Sequence, residues 1–392
     1  MRSNKTLWII ALIAVVNALG YGIIIPILYS YSQKFGLSDF QNGLLFAVFS
    51  FCQFLSTPII GRMSDKYGRR PLLLISIIGT AVSFFMAAFA PSALFLFLAR
   101  ALDGITAGNI PVASAVISDT TEPKDRARGF GIIGAAFGFG FVFGPAISAV
   151  TIQFGTQVPF ILAGIISLVA AVCTAIFLPE TNKHMGEVKE GKLFDFGKLF
   201  GALSDKMVGL TLIISLIYSI AFSMFIYAFQ PFSVKILHLT PTQIAIIFSC
   251  IGVVGVLSQV FLLHRVTKWL GVKKTFSWAL LLVACSFTTI YFLHQYIPFI
   301  IAIAFMGLAN SPTGPLIQTI LSQETDARSQ GSIQGLNTSY ISIGQIVGPI
   351  LGGLFAMQGI PLPFLAAAVL TLVCWVASFK ILQPGQKKES AF

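Results

Sequence analysis

A charged decapeptide set between two long apolar runs constrains this chain more than any other feature. It reads Gly61-Arg62-Met63-Ser64-Asp65-Lys66-Tyr67-Gly68-Arg69-Arg70. The apolar runs at 42–61 and 71–90 flank it, and each is long enough to cross a bilayer as a helix, which takes roughly 20 residues. Four cations cannot lie in hydrocarbon, so the decapeptide marks a tight turn at a membrane surface. Composition agrees. Charged residues make up 10% of the chain and hydrophobic residues 56%, whereas soluble domains carry about 25% charged residues. The net charge of +11 could suggest nucleic acid, but the cations sit in short loops between apolar spans, so no nucleic-acid partner is expected.

Apolar runs separated by charged or Pro/Gly breaks predict twelve spans: 7–30, 42–61, 71–90, 94–118, 129–151, 159–178, 209–234, 242–263, 275–293, 297–321, 333–357 and 362–382. The predicted fold class is therefore an all-α membrane protein with twelve transmembrane helices. If the N-terminus is cytoplasmic, only Lys34 and Lys235 fall on the opposite side. Arg100 lies inside a span, and the rest of the 25 Lys and Arg are cytoplasmic. That asymmetry predicts a multi-pass protein of the cytoplasmic (inner) membrane with both termini inside. The apolar run that follows Met1-Arg2-Ser3-Asn4-Lys5-Thr6 continues to Ser30. It is too long for a signal-peptide core and reads as a retained first helix. Five cysteines (Cys52, Cys173, Cys250, Cys285 and Cys374) all lie in apolar runs. They have neither C-x-x-C spacing nor His partners, so no metal, disulfide or cofactor is implied.

The only long polar segment, 179–208, divides the chain into an N-terminal unit (1–178) and a C-terminal unit (209–392) of six spans each. It reads as a solvated cytoplasmic linker. A short amphipathic surface helix is the alternative, because Leu193, Phe194, Phe196, Leu199 and Phe200 lie among lysines. The two units repeat at an offset of 204 residues. Ser118, Thr121, Gly131, Gly140, Gly144 and Pro145 match Ser322, Thr325, Gly335, Gly344, Gly348 and Pro349. A weaker echo of the decapeptide runs from Arg265 to Lys274.

The spacing G-x-x-x-D-K-x-G-R-R, carried by Gly61, Asp65, Lys66, Gly68, Arg69 and Arg70, resembles the signature loop between helices 2 and 3 of the major facilitator superfamily. Gly140, Gly144 and Pro145 resemble the helix-5 motif of its drug/proton antiporter branch, which contains tetracycline and multidrug exporters. The branch's following Gly-Gly is replaced here by Ile147-Ser148. The resemblance implies two parallel six-helix bundles, with a substrate site between them near mid-membrane and a monomer working by alternating access. It also implies that Asp65, Arg69 and Asp119, an acid ending span 4, form a gating charge network. Solvated surface charge is the alternative for those three.

Arg100 and Asp103 are three residues apart in span 4, on one helical face. Charge at that depth is costly, so both should face an aqueous cavity and pair. Their context resembles the R-x-x-x-G motif of these antiporters, in which the Arg is linked to proton coupling. Tetracycline exporters carry an acid in helix 1, where this chain has Asn17. Of the 14 acids only Asp103 lies deep in a span. Proton coupling therefore rests on Asp103, or is absent and the pair is structural.

Polar residues within spans outline a pocket: Asn17, Tyr21, Gln53, Asn109, Tyr218, Tyr227, Gln230, Asn310, Gln318, Asn337 and Tyr340. Any one of them could equally serve an interhelical hydrogen bond. The expected function is proton-coupled efflux of small amphipathic compounds. A transporter for a specific metabolite or siderophore is the alternative, and a receptor or membrane enzyme is a distant third. The chain has no G-x-S-x-G, H-E-x-x-H or G-x-x-x-x-G-K-[ST], so an enzyme has no motif behind it.

Overall fold

A computed structural model describes residues 2–121, 126–182, 185–186, 196–205, 207–325 and 329–382. Several cations behind the orientation reading lie outside the described residues: Lys124, Lys183, Lys189, Lys192, Lys206, Arg328, Lys387 and Lys388. So do Leu193 and Phe194 of the linker. Every described element is helical, as lipid requires of a chain that must satisfy its backbone internally.

Among the described residues, twelve helices are long and apolar enough to span a bilayer. In chain order they are α1 (Leu7–Ile24), α2 (Asp39–Tyr67), α3 (Arg69–Ala88), α4 (Ala93–Thr120), α5 (Gly131–Phe154) and α6 (Val158–Phe177), then α7 (Gly209–Lys235), α8 (Pro241–Leu270), α9 (Val272–Phe292), α10 (Tyr296–Gln323), α11 (Gln330–Gln358) and α12 (Leu362–Leu382). Each matches one predicted span within a few residues, except where a helix outruns its apolar stretch. α2 carries the decapeptide as its last two turns, through Tyr67, and the turn is the single residue Gly68 at φ 105°. α8 continues past its apolar run to Leu270, and Gly271 at φ 81° makes the equivalent one-residue turn. Span 1 is interrupted before Ser30. Helix ends at Ile24, Pro26 supplies no N–H, and a short helix resumes at Leu28–Ser32. The linker forms a helix at Phe196–Leu203, with Leu199 buried against the second half.

The internal repeat is a repeat of packing. Gly140 and Gly144 of α5 meet Ala18 and Gly22 of α1 so closely that a Cβ on Gly144 would stand 2.7 Å from the Gly22 backbone. Gly344 and Gly348 of α11 meet Ser219 and Ile220 of α7 in the same way. Small residues four apart let two backbones touch in lipid, where no hydrophobic force would otherwise bring them together. α5 continues unbroken through Pro145. Replacing Gly144 with Leu should therefore separate α1 from α5 and reduce the yield of folded, detergent-stable protein several-fold, whereas Gly61→Leu should not. Size-exclusion profiles of the two variants would check this.

The halves meet along two seams, α2 against α11 and α5 against α8. At one end Gly43 packs on the Pro349 carbonyl and Gly353 on Asp39. Ser249 donates to the Val142 carbonyl at 2.7 Å across the other seam. Toward the end that carries the decapeptide the seams separate. A Cβ at Gly61, Gly131, Gly134, Gly331 or Gly335 would meet nothing within 4 Å.

Candidate functional site: a cavity between the halves

The separation encloses a cavity of about 1330 Å³ bordered by both halves, larger than the roughly 300–1,000 Å³ of ordinary small-molecule pockets. Its wall is mainly apolar and aromatic. Tyr21 lies between Phe49 and Phe141, with ring centroids 6.1 and 6.0 Å away. Tyr218 stacks on Phe222 at 6.3 Å in the other half.

Several polar residues of the wall, Asn17, Gln53, Tyr218 and Asn310, lie at two matching helix breaks. α4 loses helical geometry at Gly108, within the segment Ala107–Asn109. α10 breaks between Asn310 and Thr313, 204 residues later. Breaks free backbone groups, which need new partners. Gln53 donates to the Ala107 carbonyl at 3.2 Å, and Asn17 donates to the Asn109 side chain at 2.9 Å. At the second break Thr313 donates to the Asn310 carbonyl at 2.7 Å, and the Tyr218 hydroxyl donates to the Asn310 side chain.

Of the predicted pocket residues, Asn17, Tyr21, Gln53, Tyr218, Asn310, Gln318 and Asn337 line the cavity. Four others stand elsewhere. Asn109 is fully buried behind Asn17. Tyr340 is buried and donates to the Leu199 carbonyl of the linker helix. Tyr227 and Gln230 lie at the closed end, bonded to the first half. Their polarity reflects contact between the halves, which a single sequence cannot distinguish from a pocket.

Arg100 and Asp103 line the cavity and pair at 2.6 Å, only 5% and 8% exposed. The Arg100 guanidinium also stands 4.4 Å over the Phe49 ring, a favourable placement for a desolvated cation. The cavity thus holds a charge pair with no net charge.

The decapeptide network forms within the first half. Asp65 accepts from Arg69 at 2.5 Å, Asp119 accepts from Arg69 at 3.2 Å, and Ser64 accepts from it at 2.7 Å. Lys66 lies over the Tyr67 ring at 5.1 Å, and Arg70 reaches the Ala175 carbonyl at 2.5 Å. Glu180, which sequence reasoning left in the linker, completes the network. Its carboxylate accepts from the backbone N–H groups of Arg69 at 2.9 Å and Arg70 at 3.1 Å, capping the start of α3 where orphan donors and the helix dipole favour an anion. Partial burial opposes the charge. The N–H groups of Asn182, Arg69, Arg70 and Thr181 outweigh it and hold the carboxyl below its ordinary range. A Cβ on Gly68 would stand 2.5 Å from the Glu180 carboxylate. That position therefore needs glycine for space as well as for its φ. A helix start with no capping side chain of its own was the available signal. In the second half Glu324 accepts from Thr211 at 2.7 Å and stands 3.7 Å from Lys273, and burial pushes its carboxyl up.

Two pseudo-symmetric six-helix halves around a central cavity that opens at one end define a membrane carrier. The chain belongs to the Major Facilitator Superfamily, whose family profile matches residues 10–208 and 211–392. It is similar to Multidrug resistance protein 1 of Bacillus subtilis, at 30% identity over 379 residues covering 96% of each chain. It is also similar to the class B tetracycline resistance protein of Escherichia coli, at 27% identity over 383 residues covering 92% of this chain and 90% of that one. Among solved structures, a bacterial homolog of the human lysosomal transporter Spinster, in its inward-facing and unoccupied conformation, superposes with a TM-score of 0.79 at 17% identity. That match covers 97% of this chain and 98% of the other, and it supports the fold.

Proposed function

We propose that this protein exports small amphipathic compounds across the cytoplasmic membrane by alternating access, driven by protons. Similarity along the whole chain to multidrug and tetracycline resistance proteins carries this reading. The cavity has the matching chemistry: a broad aromatic wall, scattered amides and hydroxyls, and a neutralised ion pair in place of a free charge. Asp103 takes up the coupling proton and loosens its hold on Arg100, since a carboxylate can change charge in a desolvated site and an arginine cannot. The Asp65–Arg69–Asp119 network, capped by Glu180, shapes the inner gate. The decapeptide end is cytoplasmic, so the open cavity faces inward, ready to load.

Everted membrane vesicles test the function. A tetracycline, a quinolone or a cationic dye should accumulate when the proton gradient forms and leave when a protonophore collapses it. Transport indifferent to the gradient, or no transport of any of the three, would overturn the reading. Orientation has its own test. A single cysteine at Lys34 should react with a membrane-impermeant reagent in intact cells, whereas one at Trp269 or Lys192 should react only in everted vesicles.

A further inference from the structure

At the closed end the first helix is interrupted, and a side chain from the other half occupies the interruption. In an unbroken helix the N–H of Tyr29 would donate to the carbonyl of Ile25, four residues back. Here the Tyr29 N–H donates instead to Gln230 Oε1 at 2.9 Å, and Gln230 Nε2 donates to the Ile25 carbonyl. One amide thus bridges both ends of a single opened helical hydrogen bond. Gln230 is fully buried, and its carboxamide has one acceptor and one donor facing one donor and one acceptor. It lies on the side of α7 that also bears Tyr227, whose hydroxyl donates to the Asp39 carbonyl, and Lys235, which pairs with the Asp39 carboxylate at 2.7 Å. Tyr29 donates its hydroxyl to the same carboxylate at 2.6 Å. One side of α7 therefore grips the break after α1 and the start of α2.

We infer that Gln230 is the positioning residue of the gate at this end. It holds the gate shut by occupying the Ile25–Tyr29 bond, and on opening it withdraws so that this bond closes within the helix. Most clasps between halves leave buried groups unpaired when they part, and an unpaired buried group is costly. Here the two backbone groups that lose Gln230 gain each other. A bistable element of this kind lets the end open without leaving these backbone groups unpaired at the seam. Pro26 fits the same scheme. It interrupts the helix one residue after Ile25, having no N–H to donate to Gly22. The inference concerns the conformational step and is read without substrate, so it stands or falls separately from the class of compound carried.

The test uses spin labels at Gln157 and His294, in the loops of the two halves at this end, on a background lacking the native cysteines. Gln230→Leu removes the amide but frees Ile25 and Tyr29 to pair. The population with a long label-to-label distance should rise roughly fivefold, the effect of about one net hydrogen bond. Hydrogen exchange at the Tyr29 amide should stay within about threefold of the parent, because the donor has a new partner. Gln230→Met, closer in shape, should behave alike and serves if the Leu variant is not recovered. An unchanged distance distribution would overturn the inference. So would opening accompanied by rapid exchange at Tyr29, which would mean stranded groups rather than a bond exchanged. Failure of both variants to fold would make Gln230 a requirement of the fold and would equally end it.

Discussion

Asp103→Asn is expected to abolish gradient-driven accumulation while leaving substrate binding intact. Asp103 lines the cavity beside Arg100 at 2.6 Å and is almost wholly shielded from water. A gradient can drive motion only if two conformations hold a proton with different affinity, and the coupling free energy between proton and conformation is what does the work. The amide mimics the protonated acid in shape and charge, so the cavity persists but no longer responds to the gradient. Energised uptake into everted vesicles should fall to background, and equilibrium binding of the same compound should stay within a few-fold. Arg100→Ala should damage both. It leaves a carboxylate without its partner in a water-poor site, an error that typically costs about 3–5 kcal/mol, and it strips the cation from the Phe49 face. The double variant Arg100→Ala/Asp103→Asn should recover folded protein relative to Arg100→Ala, because it removes the stranded charge along with its partner. Gradient-driven transport that survives Asp103→Asn would assign coupling elsewhere.

The spans, the repeat and the buried pair were legible in the sequence because each rests on a strong local rule. Lipid demands long apolar helices, and glycines four apart, as at Gly140 and Gly144, announce close helix packing. Arg100 and Asp103 stand out because charge at depth must be paired. What was not legible depends on contacts across the chain. Gln230 and Tyr227 were assigned to the pocket on polarity alone, yet their partners, Ile25, Tyr29 and Asp39, are some 200 residues away in sequence. Glu180 was read as linker charge, because nothing local announces that the carboxylate after α6 will reach the start of α3. The helix breaks at Gly108 and Ser311 fell inside spans read as continuous, since apolar periodicity runs straight through them.

The second large effect is expected from Gly61→Leu, which should abolish transport without destabilising the fold. Gly43 and Gly61 lie 18 residues apart on α2, about five helical turns, and so share a face. At the closed end Gly43 shows what that face does. A Cβ there would stand 2.3 Å from the Pro349 carbonyl of α11. The two helices run antiparallel, so the residue of α11 opposite Gly61 falls 18 before Pro349, at Gly331. A Cβ at either glycine meets nothing within 4 Å while this end is open. A leucine at 61 is therefore harmless in the conformation seen here, and in a helix interior it removes a glycine penalty of about 1 kcal/mol. It would clash only when α2 and α11 close upon each other. Thermal stability should be equal or higher, transport should drop more than about tenfold, and the substrate should still bind from the open side. Asp65→Asn makes the contrasting perturbation. It weakens a half-exposed ion pair worth about 1 kcal/mol or less and leaves Arg69 on Asp119, so it should slow the cycle through the balance of conformations rather than by steric block. Spin labels on the decapeptide-bearing ends of α2 and α11 would separate the two. The Leu variant should show only the long distance under every condition, and the Asn variant should show both distances in altered proportion. A short distance in Gly61→Leu would mean that the glycine seam does not close at this end.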